Sequence, residues 1–229
     1  KLVLEIGIQN IKTQTKITTI KEENNHLNIL DSSGNSYSAD KVISTIPPNL
    51  LVNSVVFEPK LPENFTQLAK TTHTWMGESI KFAVEYKTPF WKQNHYSGTI
   101  FSQASIIQEM YDHSTATNCG FALKGFLNVG TAVLSKEDRK EKAIAQLTAF
   151  FGLEATDYVA YYENVWREEP LTFQPYEQLV LAHQNNGHSL FKNPLLNEKL
   201  YVSGAETATQ SPGYMNGAIF AAKTLASQF

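Results

Sequence analysis

Apolar residues in this chain fall into short alternating runs rather than long blocks, and the runs set the expected elements. Lys1 to Glu5 reads as strand. Lys16-Ile17-Thr18-Thr19-Ile20 alternates, and after the polar Lys21 to His26 the apolar Leu27 and Ile29 lead into Asp31-Ser32-Ser33-Gly34. Period-two alternation around a turn whose glycine tolerates positive φ predicts a hairpin. Lys41 to Ile46 reads as a more buried strand. Pro47-Pro48 ends it, because neither residue can donate to a ladder. Pro59 and Pro62 mark a second break, where the crossing into another structural unit is expected.

Beyond that break, Ser79 to Tyr86 places Ile80, Phe82, Val84 and Tyr86 on one side of a half-buried strand. Further strands are expected near 98–102, 105–111 and 121–129. Ser135 before Lys136-Glu137-Asp138 predicts a capped helix start. Ala143, Ile144, Leu147, Phe150 and Phe151 share one face of that helix, and Gly152 stands where it should stop. Tyr158 to Trp166 returns as strand. Lys199 to Gly204 reads as a short strand, followed by a loop rich in Thr, Ser, Gly and Pro to Gly213 and a helix from Met215 to Phe229. No internal repeat interrupts this order.

Composition narrows the function classes. The chain has 229 residues, 42% of them hydrophobic and 18% charged, which is a globular composition with enough material for a sizeable core. Nineteen basic and 22 acidic side chains leave a net charge of −3, no field for a phosphate backbone, so nucleic acid is not an expected partner. The longest apolar runs fall far short of the ~18 residues a membrane span needs. The single cysteine, Cys119, excludes an intrachain disulfide framework and a thiolate-rich metal cluster; without a basic neighbour it is expected to be unreactive. A cytoplasmic protein is the expectation. The six histidines are scattered with no i, i+4 pair, so no metal site is expected. Glu168-Glu169 are adjacent, and on a strand they would face opposite sides rather than cooperate.

The C-terminal strand, loop and helix carry the strongest chemical signal: Gly204-Ala205-Glu206-Thr207-Ala208, then Gly213-Tyr214-Met215-Asn216-Gly217-Ala218. Small residues at a strand end let a ligand approach the backbone, and the helix start aims free N–H groups and a positive dipole end at it. On these residues alone, an ordinary strand–helix connection remains the competing reading.

The same segment resembles the C-terminal flavin-contacting signature of flavin-containing monoamine oxidases. Val42-Ile43-Ser44-Thr45-Ile46-Pro47-Pro48 resembles that family's strand leading out of the flavin domain, and Phe57 to Pro62 the stretch after it. Met76-Gly77-Glu78-Ser79-Ile80-Lys81 with Pro89-Phe90-Trp91 resembles the strand with the family's active-site lysine, and Asn164-Val165-Trp166 with Glu168-Glu169 also fits. The resemblance covers nearly the whole chain. It implies an α+β fold: a mixed or antiparallel substrate-domain sheet with helices (49–194), joined to the trailing strands and helix of an incomplete, Rossmann-like FAD-binding domain (1–48 and 195–229). The family's Gly-x-Gly-x-x-Gly loop, which cradles the FAD pyrophosphate, does not occur in these residues. The resemblance therefore implies a fragment, matching the C-terminal half of such an enzyme, which would not hold FAD on its own. Its expected partners are an amine substrate and the missing N-terminal portion or a second copy of the chain.

Residue roles follow from the resemblance. Glu206 would bond a ribityl hydroxyl of FAD, and Gly213 and the backbone of Met215 and Asn216 would face the flavin pyrimidine. Ile17 would meet the adenine through its backbone, and Trp166 would pack near the flavin edge. Lys81 would hold a water at flavin N5; as a bare residue on a half-buried strand it reads as an exposed lysine. Tyr176 and Tyr214 would form the two walls of an aromatic cage that orients the amine. Pro175 stands where mammalian-type relatives attach flavin through a cysteine, so FAD is expected to be non-covalent. The alternatives keep the fold but change the reaction (an L-amino-acid oxidase, desaturase or isomerase) or drop it, leaving a flavin-free binding module. An amino-acid oxidase needs a cationic clamp for the carboxylate, and the chain has two arginines, Arg139 and Arg167.

Overall fold

A computed structural model describes residues 1–117 and 119–229. The chain forms two compact units, Lys1–Trp75 with Gln174–Phe229, and Met76–Phe173. The fold is α+β, as expected, with a four-stranded mixed sheet, a five-stranded antiparallel sheet and a two-stranded parallel sheet. The unit boundary lies at Trp75/Met76, beyond the Pro59–Pro62 break, because a helix after Pro62 still packs into the first unit. The compact units therefore divide the chain at other points than the expected 48/49 and 194/195.

In the first unit, β1 (Ile17–Glu23), β2 (His26–Asp31) and β3 (Ser36–Ala39) form an antiparallel meander. Two hairpins stand where one was expected. Asn24 and Asn25, both at positive φ, make the first turn, a conformation that asparagine tolerates well. Asp31 organises the second, accepting from the backbone N–H of Ser33 (2.8 Å) and Asn35 (3.0 Å) and from the Tyr37 hydroxyl (2.9 Å). Those donors, with the Asn35 side chain foremost, hold its carboxyl down to about 2. A short β4 (Val42–Ser44) leads through Pro47 into α2 (Pro48–Ser54), where Pro48 sits in the first turn that tolerates it. Next come β5 (Val56–Glu58), parallel to β1, and α3 (Glu63–Lys70). Their apolar faces close a core containing Ile20, Leu27, Leu51, Phe57, Phe65 and Ala69. The N-terminal residues expected as strand form an exposed helix, α1 (Leu2–Ile6), instead. The segment satisfies its backbone locally, and Gly7 at φ 84° ends it.

In the second unit, β6 (Ile80–Tyr86), β7 (Ile100–Phe101), β8 (Ile107–Asp112), β9 (Phe121–Leu127) and β10 (Tyr158–Val165) form an antiparallel sheet of order β10-β6-β9-β8-β7. The alternation of β6 buries Ile80, Phe82, Val84 and Tyr86, as expected. After the short α4 (Phe90–Gln93), α5 (Lys136–Phe151) lies against this sheet, capped by the Ser135 hydroxyl, which accepts from Asp138 N–H at 3.1 Å, and closed at Gly152. Its buried face differs from the expected one. Phe150 is exposed, whereas Arg139 and Gln146 are buried beside Ala143, Leu147 and Phe151. Gln146 mimics a peptide, accepting from Ile107 N–H (2.7 Å) and donating to the Ile107 carbonyl (3.1 Å). Arg139 pairs with Glu163 at 2.7 Å and also donates to the carbonyls of Thr131, Ala132 and Leu134. Both side chains of the pair are almost wholly buried.

Removing one member of such a pair leaves the other charged and unsatisfied in the core. Arg139→Met is expected to cost about 3–5 kcal/mol of unfolding free energy, read from urea denaturation. Adding Glu163→Gln, which can still accept from Tyr161, should recover at least half of the loss. A single variant within ~0.5 kcal/mol of wild type would show that the pair is not a structural tie.

Candidate functional site

The strand β11 (Leu200–Val202) runs parallel to β4, and Ser203 N–H extends the register by donating to the Ser44 carbonyl at 2.9 Å. Beyond the paired strand ends the chain turns tightly: Gly204 N–H donates to Thr207 Oγ1 (3.0 Å), which donates back to the Gly204 carbonyl (3.1 Å). This turn buries Glu206, 7% exposed, where desolvation raises its carboxyl above the usual range. Among the described residues no side chain donates to that carboxyl, and its own backbone N–H supplies the one opposing influence. On the neighbouring strand, Ser44 Oγ is likewise buried without a partner. A Cβ on Gly204 would lie 3.3 Å from the Thr45 carbonyl oxygen and 3.5 Å from Glu206 Oε2, so a side chain there would crowd the turn against the neighbouring strand.

The loop folds back through Gly213 N–H, which donates to the Ala205 carbonyl at 2.9 Å, and then enters α6 (Met215–Ala226). Tyr214 is the N-cap and makes no side-chain cap, so the first N–H groups of α6 stay available beside exposed Met215 and Asn216. Gly217 is required by close approach: a Cβ there would meet the Ser211 carbonyl oxygen at 2.2 Å. The motif glycines thus have physical reasons independent of any ligand.

Tyr176 and Tyr214 join one aromatic assembly. The Tyr176 hydroxyl accepts from Thr74 N–H at 2.8 Å, and its ring stacks on His73 (centroids 6.5 Å, 17°). Tyr214, 49% exposed, lies 6.0 Å from His183 at 23° and 5.6 Å from Trp75 at 42°. His73 touches both Trp75 and His183, which completes the chain of rings. Sequence reasoning missed His73, Trp75 and His183, because their partners lie about a hundred residues away and no periodicity marks them.

Ile17, half-buried on β1, lines an open hollow of about 540 Å³ with Lys12, Ile29 and Tyr37. Pro175 borders a separate polar hollow of about 250 Å³. Lys81 and Trp166 belong to the other unit. Lys81 is exposed on β6, opposite Asn164 and Phe126, with Nζ 5.7 Å over the Phe126 ring. Trp166 begins the helical turn after β10, its N–H bonded to the Ser79 carbonyl. Glu168 lies in that turn rather than on a strand. Cys119 is exposed, and hydrogen bonds with the hydroxyls of Thr115 and Thr117 hold its thiol below the usual range. Among the described residues no cluster of His, Cys, Asp or Glu could hold a metal, and no helix is long and apolar enough to cross a membrane.

Because burial raises the Glu206 carboxyl, the folded state holds its proton more tightly than the unfolded chain does. The resulting penalty is absent well below the ordinary value of 4.5 and develops as pH rises through it. Glu206→Gln should therefore stabilise the chain at pH ~7 and leave it unchanged near pH ~3.5, measured by urea midpoints. Destabilisation at neutral pH would mean that the carboxylate has donors in the folded state.

Residues 5–228 match the family described as flavin containing amine oxidoreductase. Human amine oxidase [flavin-containing] B is 28% identical over 238 aligned residues, which cover 99% of this chain and 44% of that protein. Putrescine oxidase of Kocuria rosea is 33% identical over 138 residues, 58% of this chain and 28% of the relative. A solved putrescine oxidase bound to putrescine superposes with a TM-score of 0.83 at 26% identity, covering 99% of this chain and 50% of the other. Cyclohexylamine oxidase from Brevibacterium oxydans shares the fold with a TM-score of 0.84. The chain thus spans about half the length of the relatives that it matches along its whole extent. Together, the match over almost every residue and the shared fold show that the chain belongs to the flavin-containing amine oxidase family.

Proposed function

We propose that this chain is the flavin-ring and substrate-facing part of an FAD-dependent amine oxidase, which converts an amine to an imine with O2 as acceptor. Glu206 carries the reading. A buried carboxyl without a side-chain donor, with an orphaned serine hydroxyl on the next strand and a glycine backbone beside it, suits a polyhydroxylated chain such as the ribityl of FAD. When bound, FAD supplies the hydride acceptor and the reaction with O2.

The protein's own residues bind and orient. Glu206 accepts from a ribityl hydroxyl, regaining the hydrogen bond that it lacks. The N-terminal turn of α6, at Met215 and Asn216 with Gly213 before it, presents N–H groups and a positive dipole end to the pyrimidine edge. Ile17 serves the adenine end through its backbone, and Trp166 packs by the flavin edge. Residues 1–48 and 195–229 take the cofactor role and 49–194 the substrate role. Tyr176 and Tyr214 hold the amine between ring faces that favour developing positive charge. Lys81 holds a water for the redox steps. Capture of the pyrophosphate needs a phosphate cradle that these 229 residues lack, so tight FAD binding is a property of a longer polypeptide.

Of the two arginines that an amino-acid oxidase could use, Arg139 is committed to buried Glu163, which leaves Arg167, in an exposed pair with Glu78 at 3.2 Å, as the one that could meet a carboxylate.

The test is amine-dependent oxygen uptake by the complete polypeptide supplied with FAD; no turnover with either aryl-alkyl monoamines or putrescine would refute the reading. In that protein Lys81→Met, which keeps the stem but removes charge and donors, should retain flavin. It should slow flavin reduction or reoxidation at least tenfold, about 1.4 kcal/mol of barrier, in stopped-flow measurements. Rates within about twofold of wild type would make Lys81 a surface lysine. Because Pro175 occupies the attachment position, acid precipitation should leave the yellow colour in the supernatant. Colour retained by the pellet would disprove non-covalent binding.

A further inference from the structure

Three rings of the aromatic assembly have no part in the scheme above, and two of them meet Tyr214 directly. His183, in the left-handed region at φ 60°, stacks on Trp75 with centroids 4.5 Å apart and planes 19° apart. Tyr214 lies near-parallel to His183 at 23° and tilted against Trp75. Trp75 also braces the backbone just before Tyr214: a Cβ on Gly213, itself at φ 81°, would come within 2.9 Å of Trp75 Cβ. The tyrosine is therefore held through both its ring and its main chain.

The frame behind the stack is tied down along its length. His183 N–H donates to His73 Nδ1 at 3.2 Å, and His73 N–H donates to the Gln184 carbonyl at 3.0 Å. Asn185 Nδ2 donates to Thr71 Oγ1 at 2.9 Å, and Asn186 Nδ2 to the His73 carbonyl at 3.1 Å. Gly187 N–H then donates to the Glu206 carbonyl at 2.7 Å, joining this frame to the Glu206 turn. His183 Nδ1 is buried with no hydrogen-bond partner among the described residues, so at that edge the imidazole contributes a packing face rather than a bond. A half-exposed tyrosine otherwise keeps its two side-chain rotations.

We propose that Trp75 and His183 are positioning residues that fix the ring plane of Tyr214, and with it the orientation of an amine held against that ring. The proposal rests on the reading of Tyr214 as a wall of the amine site.

The test compares His183→Ala, which removes the stack, with His183→Phe, which keeps an aromatic plane, in the complete flavin-loaded polypeptide. Fluorine NMR of fluorotyrosine-labelled protein, with the Tyr214 signal assigned through Tyr214→Phe, reports the ring without reference to activity. His183→Ala should shift or broaden the Tyr214 signal and raise KM for the amine about fivefold or more, with flavin content unchanged. His183→Phe should restore the signal and bring KM back to within about twofold. A Tyr214 signal unmoved by His183→Ala, or a phenylalanine variant as impaired as alanine, would overturn the proposal. A moved signal with unchanged kinetics would support the positioning role and refute the amine-site reading of Tyr214.

Discussion

The first unit is built from two stretches of chain separated by the whole of residues 76–173, and the Glu206 turn, the start of α6 and the ring assembly around Tyr214 depend on how those stretches are joined. Two of the junctions bear directly on the Glu206 turn. The parallel pair of β4 with β11 places Ser44 opposite Val202 and aligns the strand ends from which Glu206 follows. The amide-rich tract His183–Gly187 bonds back to Thr71 and His73 and forward to Glu206. Closing so long an intervening loop costs entropy only logarithmically, so a few well-satisfied hydrogen bonds and a shared apolar core suffice to hold it. Asparagine suits this tract because it tolerates positive φ, as at Asn185, while its side chain donates to backbone carbonyls.

Glu206 shows the cost of such an arrangement. A carboxyl buried without a side-chain donor disfavours folding near neutral pH, yet the turn from Gly204 to Thr207 holds it there. Arg139 and Glu163 form the contrasting case in the second unit, where a buried charge is fully met by a partner and by backbone carbonyls. The paired charge serves packing; the unpaired one is the group with hydrogen-bonding capacity left for a ligand.

Much of this could be read from the residues. The alternation of Ile80, Phe82, Val84 and Tyr86, the Ser135 cap and the Gly152 stop are local signals, and local physics answers them. The C-terminal strand, loop and helix were legible for the same reason, since small residues and glycines report close backbone approach. What escaped was set by distant partners. The N-terminal apolar run is the exception, a locally bonded exposed helix rather than a strand. Phe150 is exposed where the apolar face was expected, and Arg139 is buried because its acceptors, Glu163 above all, lie outside its helix. The stack of Trp75, His183 and Tyr214 draws on three stretches of sequence, none of which signals the others.

The central claim is that the Glu206 turn and the start of α6 receive the flavin. Amide hydrogen exchange of the complete polypeptide, followed with and without FAD, tests it most directly. The account predicts slowed exchange concentrated in residues 203–207 and 213–218 when FAD is added. Exchange in those segments that is indifferent to FAD, in a protein that demonstrably binds it, would contradict the account.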